Sequence, residues 1–106
     1  MAYDEELANR IRALAPSGTR EKKMFGGIAF LVGGNMAIAA SGQGGILVRV
    51  DPDESDDLVA KTTAEVAVMR GRPMAGWLRV AAPGDAELAQ WVERGTAYAR
   101  SLPPKR

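Results

Sequence analysis

The stretch that most constrains the fold is KKMFGGIAFLVGGNMAIAA, residues 22–40. Apolar residues alternate between two faces along 28–32 and again along 36–40, and Gly-Gly-Asn at 33–35 separates the two runs. A period of two is typical of strands, and glycine with asparagine is typical of the tight turn that joins them. The stretch therefore predicts a β-hairpin.

Lysine beside glycine can also indicate a phosphate-binding loop, but the order of the residues argues against one here. A P-loop places its lysine and a serine or threonine directly after the last glycine, where a helix begins. Lys22 and Lys23 instead precede Gly26 and Gly27, and a predicted strand follows. These glycines are therefore predicted to form turns, and no nucleotide cofactor is predicted.

Three helices are predicted around these strands. Asp4 is the expected N-cap of a helix over 4–15, where Leu7, Ile11 and Leu14 form one apolar stripe. Asp51 is the expected cap of a second helix over 51–62, and Asp85 the expected cap of the last. The last helix has a continuous apolar stripe of Leu88, Trp91, Val92, Tyr98, Ala99 and Leu102. Gly95 lies within that stripe, where we expect it to allow close approach to the sheet.

The remaining segments complete a single domain, 1–106. ILVRV (46–50) and WLRVA (77–81) predict further strands, whereas 64–69 is compatible with a strand or a loop. GRPMAG (71–76) is predicted to be a loop, because glycine and proline interrupt regular structure. The predicted fold is α+β and two-layer, an antiparallel sheet with the N- and C-terminal helices packed against it.

Two absences restrict the chemistry of the chain. It contains no cysteine and no histidine, which removes thiolate nucleophiles, the commonest general base and the usual ligands of zinc and haem. Serines are present without a histidine partner, and nothing in the sequence points to a serine–lysine pair. We therefore expect no enzyme activity, no metal and no cofactor.

Charge and hydropathy indicate where the protein works. The N-terminus is acidic and lacks the pattern of a signal peptide, and no apolar run approaches the roughly 20 residues of a membrane span. We therefore expect a cytoplasmic protein with no membrane partner. The formal net charge of +1 is too small to predict a general nucleic-acid binder.

Two groups of residues are candidates for a binding surface. Trp77 shares a strand face with Arg79 and not with the apolar residues between them, and both residue types are enriched at interface hot spots. If that face is exposed, the two form a binding patch. Basic residues also gather before the hairpin and around residue 71: Arg20, Lys22 and Lys23, then Arg70 and Arg72. They would form an anion or nucleic-acid site if the two loops meet, and ordinary solvated charge is the alternative.

Three blocks of the sequence, taken in order, resemble the TfoX N-terminal domain family: KKMFGGIAFLVGGNMAIA, GRPMAGWLRV and WVERGTAYARSLPPK. The resemblance covers almost the whole chain and implies an α+β fold of the secretion-chaperone-like type. The regulator that gives the family its name acts on competence genes and carries a second domain of helix-hairpin-helix character. The sequence to Arg106 shows no such segment, so we expect a standalone N-terminal domain.

The resemblance implies no catalytic residues, and several functions stay open. The leading expectation is a non-enzymatic protein-interaction module, linked to transcriptional regulation, with an unidentified protein partner. A homodimer is a further expectation. The alternatives are a nucleic-acid-binding accessory domain that uses the basic loops at 20–23 and 70–72, and a domain that binds a small anion or ligand.

Overall fold

The computed structural model describes residues 4–24, 26–42, 44–69, 71–81 and 84–103. Within these ranges the elements are, in order, α1 (Glu5–Leu14), β1 (Arg20–Met24), β2 (Gly27–Val32), β3 (Asn35–Ala40), β4 (Ile46–Arg49), α2 (Pro52–Lys61), β5 (Glu65–Met69), β6 (Arg72–Val80) and α3 (Asp85–Ser101). The six described strands form one antiparallel sheet in the order β1-β2-β3-β4-β6-β5. The predicted α+β architecture and the hairpin of β2 and β3 are confirmed.

Two of the predicted helix caps are confirmed. The Asp4 carboxylate accepts a hydrogen bond from the Leu7 amide at 3.1 Å, and the Asp51 carboxylate accepts one from the Asp53 amide at 2.9 Å. Pro52 follows as the first helical residue of α2, where its missing N–H costs nothing. Local capping chemistry therefore fixes the starts of α1 and α2 as the sequence predicts.

All three helices pack on the same face of the sheet. Buried residues of α1, α2 and α3, such as Leu7, Leu58 and Leu88, form one core cluster with alternate residues of the strands. The strand residues of this cluster are Ile28, Phe30, Ala37, Ile38, Ala40, Ile46, Val48, Leu78 and Val80, and Val50 directly after β4 joins them. α3 comes close to the sheet at Gly95, where an added Cβ would lie 2.5 Å from the carbonyl oxygen of Ala37. The predicted close approach of this helix is confirmed.

The prediction of a loop over 71–76 is wrong for 72–76, and only Gly71 lies in a turn there. β6 begins at Arg72, where it pairs with Met69 of β5, and its register with β4 begins at Trp77. Proline is tolerated in a strand whose neighbour lies on one side only. The register of β5 and β6 shifts between Val66 and Val68, which accommodates the irregular residues of β6. Residues 64–69, left open by the sequence, form the partner strand.

Three smaller expectations are also corrected. α3 has Gly84 as its N-cap, without a side-chain hydrogen bond, and Asp85 is the first helical residue, bonded to Arg10 of α1. Leu14, expected in the apolar stripe of α1, is 45% exposed at the end of the helix. Lys22 and Lys23 lie in the edge strand β1 and not in a loop. In each case packing between elements decides the outcome, which local sequence does not encode.

None of the described helices is long and apolar enough to cross a membrane.

Candidate functional site

The face of the sheet opposite the three described helices is the candidate functional site. One row of paired residues runs across all six strands on this face: Lys22, Ala29, Ala39, Leu47, Arg79 and Glu65. Along its strand, each of these residues lies next to a residue of the core cluster, or it pairs with a residue that does. Successive side chains of a strand point to opposite faces, so the row lies on the face away from the core. We call the face that carries this row the open face.

The centre of the open face is apolar. Ala29 and Ala39 on β2 and β3 are buried although they lie outside the core cluster of the described residues. Leu47 on β4 and the paired Leu31 and Met36 on β2 and β3 are half-buried. The three central strands β2, β3 and β4 therefore present a shallow apolar strip with two small residues in its middle.

Basic residues stand on both sides of this apolar strip. Arg20 and Lys22 are exposed on β1, and Arg49 and Arg79 are half-buried on β4 and β6. Strand alternation places Arg20, Lys22 and Arg79 on the open face, with Glu65 as the acidic residue beside Arg79, whereas the Arg49 guanidinium is directed toward α3. The open face is thus an apolar strip with exposed positive charge on the β1 side and an arginine beside a glutamate on the β6 side.

The predicted pair of Trp77 and Arg79 lies on this face, and both residues are half-buried. The Arg49 guanidinium lies 5.3 Å from the Trp77 ring centre and 5.9 Å from that of Tyr98 on α3. Such cation–π contacts are worth about 0.5–1 kcal/mol at exposed sites and more where water is excluded. Trp77 is therefore held against the protein at the end of the sheet.

The structure does not bring the two predicted basic groups together. Lys22 and Lys23 lie on β1, whereas Arg72 begins β6, which is four strand positions or roughly 19 Å across the sheet. Arg72 also lies seven residues along β6 from Arg79, the residue in the same row as Lys22. Lys22 and Lys23 also point to opposite faces, since they are neighbours in one strand. Arg70 lies outside the described residues. The described members of the two groups therefore do not converge on one anion.

Charge is divided between the two layers of the domain. Among the described residues, the helices with their N-caps carry eleven acidic and five basic residues, whereas the strands carry six basic and two acidic. The helical layer is thus acidic and the sheet basic, although the whole chain has a net charge of only +1. A partner that approaches one layer is affected by the local charge of that layer and not by the net charge of the whole chain.

A second feature is an open cleft of about 560 Å³ between the start of α2 and the middle of α3. Asp51, Glu54, Glu93, Arg94 and Tyr98 contribute to its lining. The Asp51 carboxylate already caps α2. Within the described residues, no group of three or more acidic side chains is arranged to hold a metal ion. The cleft therefore shows no metal-ligand set within the described residues, and one of its carboxylates already serves as a helix cap.

One carboxylate has a clearly displaced pKa. The Arg12 guanidinium donates two hydrogen bonds to the Glu21 carboxylate, at 2.5 and 2.7 Å. These hydrogen bonds, together with the positive charge of Arg12, lower the pKa of Glu21 below the usual 4.5. Partial burial of the carboxylate opposes this shift but does not cancel it. This pair joins α1 to the edge strand β1 on the helix-covered side.

We predict that Glu21→Gln destabilises the protein at neutral pH by less than about 1 kcal/mol, because the pair is partly exposed. The pKa of Glu21 is lower in the folded state, so its contribution is present above pH 4.5 and is lost as the pH falls through the folded-state value. Urea unfolding of both proteins at pH 7 and pH 3 measures this. An equal difference at the two pH values would contradict it.

Sequence reasoning missed the apolar half of the site. Alternation already separated Ala29 and Leu31 from Phe30, and Leu47 from Val48. It did not reveal which face the helices cover, because α1, α2 and α3 all have an apolar stripe that fits either face. Counting charges on predicted helices and strands would have revealed the acidic and basic layers.

Comparison with known proteins identifies one family. Residues 12–99 of the 106-residue chain match the TfoX N-terminal domain. This family is linked to competence regulation and is not known to be catalytic. Searches of curated proteins and of solved structures gave no significant match. The resemblance seen in the three sequence blocks is confirmed.

Proposed function

We propose that this protein, which belongs to the TfoX N-terminal domain family, is a non-enzymatic cytoplasmic module that binds a protein partner in transcriptional regulation. The observation that carries the proposal is the open face. Its half-buried Leu31, Met36 and Leu47 lie beside Trp77 and Arg79 on a side of the sheet that the described helices leave uncovered. Apolar, aromatic and arginine side chains are the types enriched at protein interfaces.

The two edges of the sheet are less suited to a partner than its face. β1 carries Arg20, Lys22 and Lys23, and charged residues, lysine above all, oppose pairing with another strand. β5 has an irregular register, which bends the edge away from a regular ladder. A partner is therefore expected on the face and not as an added strand.

The experiment compares Leu47→Asp on the open face with Leu14→Asp on the helical layer. Both variants replace a partly exposed leucine with a negatively charged aspartate, so they differ in the layer of the domain that carries the new charge. In affinity capture from the host, we expect Leu47→Asp to reduce the amount of the partner protein recovered by the wild type by more than about tenfold. Leu14→Asp should recover the same amount as the wild type. Quantitative mass spectrometry measures the captured proteins.

A strain that carries Leu47→Asp is expected to show the transcript changes of a deletion strain. Thermal unfolding establishes that the variants fold, and Met36→Asp provides a second change on the same face. If wild type and both open-face variants capture the same proteins, and transcription is unaltered in the deletion strain, the proposal is wrong.

A further inference from the structure

We infer that the segment of the partner that occupies the open face is an acidic amphipathic helix. This inference rests on the proposed function and specifies the chemistry of the partner. Its basis is an apolar strip with small residues at its centre, with Arg20 and Lys22 on one side and Arg79 on the other, an arrangement that fits the width and charge of such a helix.

The dimensions of the open face fit one helix. Lys22 on β1 and Arg79 on β6 are separated by four strand spacings, roughly 19 Å, and an α-helix with its side chains is about 10–12 Å wide. A helix that lies along the strands would contact the centre of the face and leave space on each side for its flanking side chains. Ala29 and Ala39 allow it to approach closely, since they project least from the sheet.

The charges of the open face favour acidic side chains on that helix, above all on the flank toward β1, since Glu65 stands beside Arg79 on the other side. Arg20 and Lys22 would meet one flank, and Arg79 the other. The strip between them, with Leu31, Met36 and Leu47, would receive the apolar stripe of the helix. A second helical layer would then cover the sheet, which converts a two-layer domain into a three-layer arrangement.

Other occupants fit less well. The described helices of a second copy are acidic, but each buries its apolar stripe in its own core, at Leu7, Leu58 and Leu88. A single-stranded nucleic acid would use several aromatic rings as stacking platforms, and Trp77 is the only aromatic residue that the described strands place on this face. The acidic helical layer would also repel a long polyanion that extends beyond the sheet.

The test uses two synthetic helical peptides with the same leucine stripe, one flanked by glutamates and the other by lysines, and a labelled single-stranded DNA. Each is titrated to millimolar concentration into uniformly ¹⁵N-labelled protein. We expect the glutamate peptide to shift the amide signals of Ala29, Ala39 and Leu47 at low salt, and to bind at least about tenfold more tightly than the lysine peptide.

Two charge reversals on one strand provide the matched comparison. Lys22 and Lys23 are both exposed on β1, but Lys22 pairs with Ala29 on the open face and Lys23 with Ile28 on the other. We expect Lys22→Glu to weaken binding of the glutamate peptide by about fivefold and Lys23→Glu by less than about twofold. Leu47→Glu should abolish the signal shifts.

Equal losses of peptide affinity in the two lysine variants would overturn the inference. They would indicate a general electrostatic attraction to the protein and no defined binding site. It is also overturned if the glutamate peptide shifts no signals of the open face, or if the DNA binds there more tightly than the peptide. If the peptide fails while Leu47→Asp still loses the captured protein, the interaction module stands and its partner has another chemistry.

Discussion

Replacing Gly45 with alanine is expected to lower the free energy of unfolding by about 3–5 kcal/mol. Two penalties act together at this position. The φ angle of Gly45 is +71°, a conformation that costs a residue with a side chain about 1–2 kcal/mol. An added Cβ would also lie 2.3 Å from the carbonyl oxygen of Val80 and 2.8 Å from that of Ala81.

The backbone of the neighbouring strand cannot yield to this Cβ without breaking the sheet. Val80 pairs with Ile46, the first residue of β4, so a displacement of Val80 would disturb the register of β4 and β6. A loss of 3–5 kcal/mol is a large part of the roughly 5–15 kcal/mol that stabilises a typical domain. Urea unfolding followed by circular dichroism measures it.

Gly44 provides the matched control. Its φ angle is +92°, but a Cβ there would have nothing within 4 Å. Gly44→Ala should therefore incur the conformational penalty alone, about 1–2 kcal/mol. Similar losses in the two variants would mean that the close approach of Gly45 to β6 is not present in solution.

Gly95→Ala is expected to destabilise the protein by about 2 kcal/mol, although alanine is the better helix former. Helix propensity alone favours alanine over glycine by about 1 kcal/mol. Against this gain, the Cβ would lie 2.5 Å from the carbonyl oxygen of Ala37 and 3.3 Å from Cγ1 of Val48, so α3 would have to move away from the sheet. Forcing extra volume into a packed core costs about 1–3 kcal/mol, and here the obstacle is backbone.

The exposed Ala97 on the same helix is the control for Gly95. Ala97→Gly should lose about 1 kcal/mol through propensity alone. If Gly95→Ala instead raises the midpoint of urea unfolding, propensity exceeds the steric effect and α3 lies farther from the sheet than the structure shows.

Much of the fold follows from local chemistry that a single sequence shows. Asp4 and Asp51 cap their helices as predicted, and the alternation of 28–32 and 36–40 gives the β2–β3 hairpin. The failure at 71–76 is equally instructive. Glycine and proline there indicated a loop, but the segment from Arg72 belongs to β6, and Arg72 and Pro73 pair with β5. Tertiary contacts overrode the local preference.

The candidate site was predictable only in part. The alternation of Trp77 and Arg79 with core residues indicated a face, and the structure places both on it with Lys22. The supposed convergence of Lys22 and Lys23 with Arg72 depended on strand order, which local sequence does not contain. β2, β3 and β4 lie between β1 and β6, so the two groups are far apart.

By itself, the sequence determined the absence of cysteine and histidine side chains, the N-caps of α1 and α2, the main hairpin, and the family. Capping, turn formation and strand alternation act over a few residues, so they can be read directly along the chain. Only the tertiary structure decided which face of the sheet the helices cover and which charges share the other. Those outcomes depend on strand order and packing between distant segments, and they produce the apolar strip with basic residues on both sides.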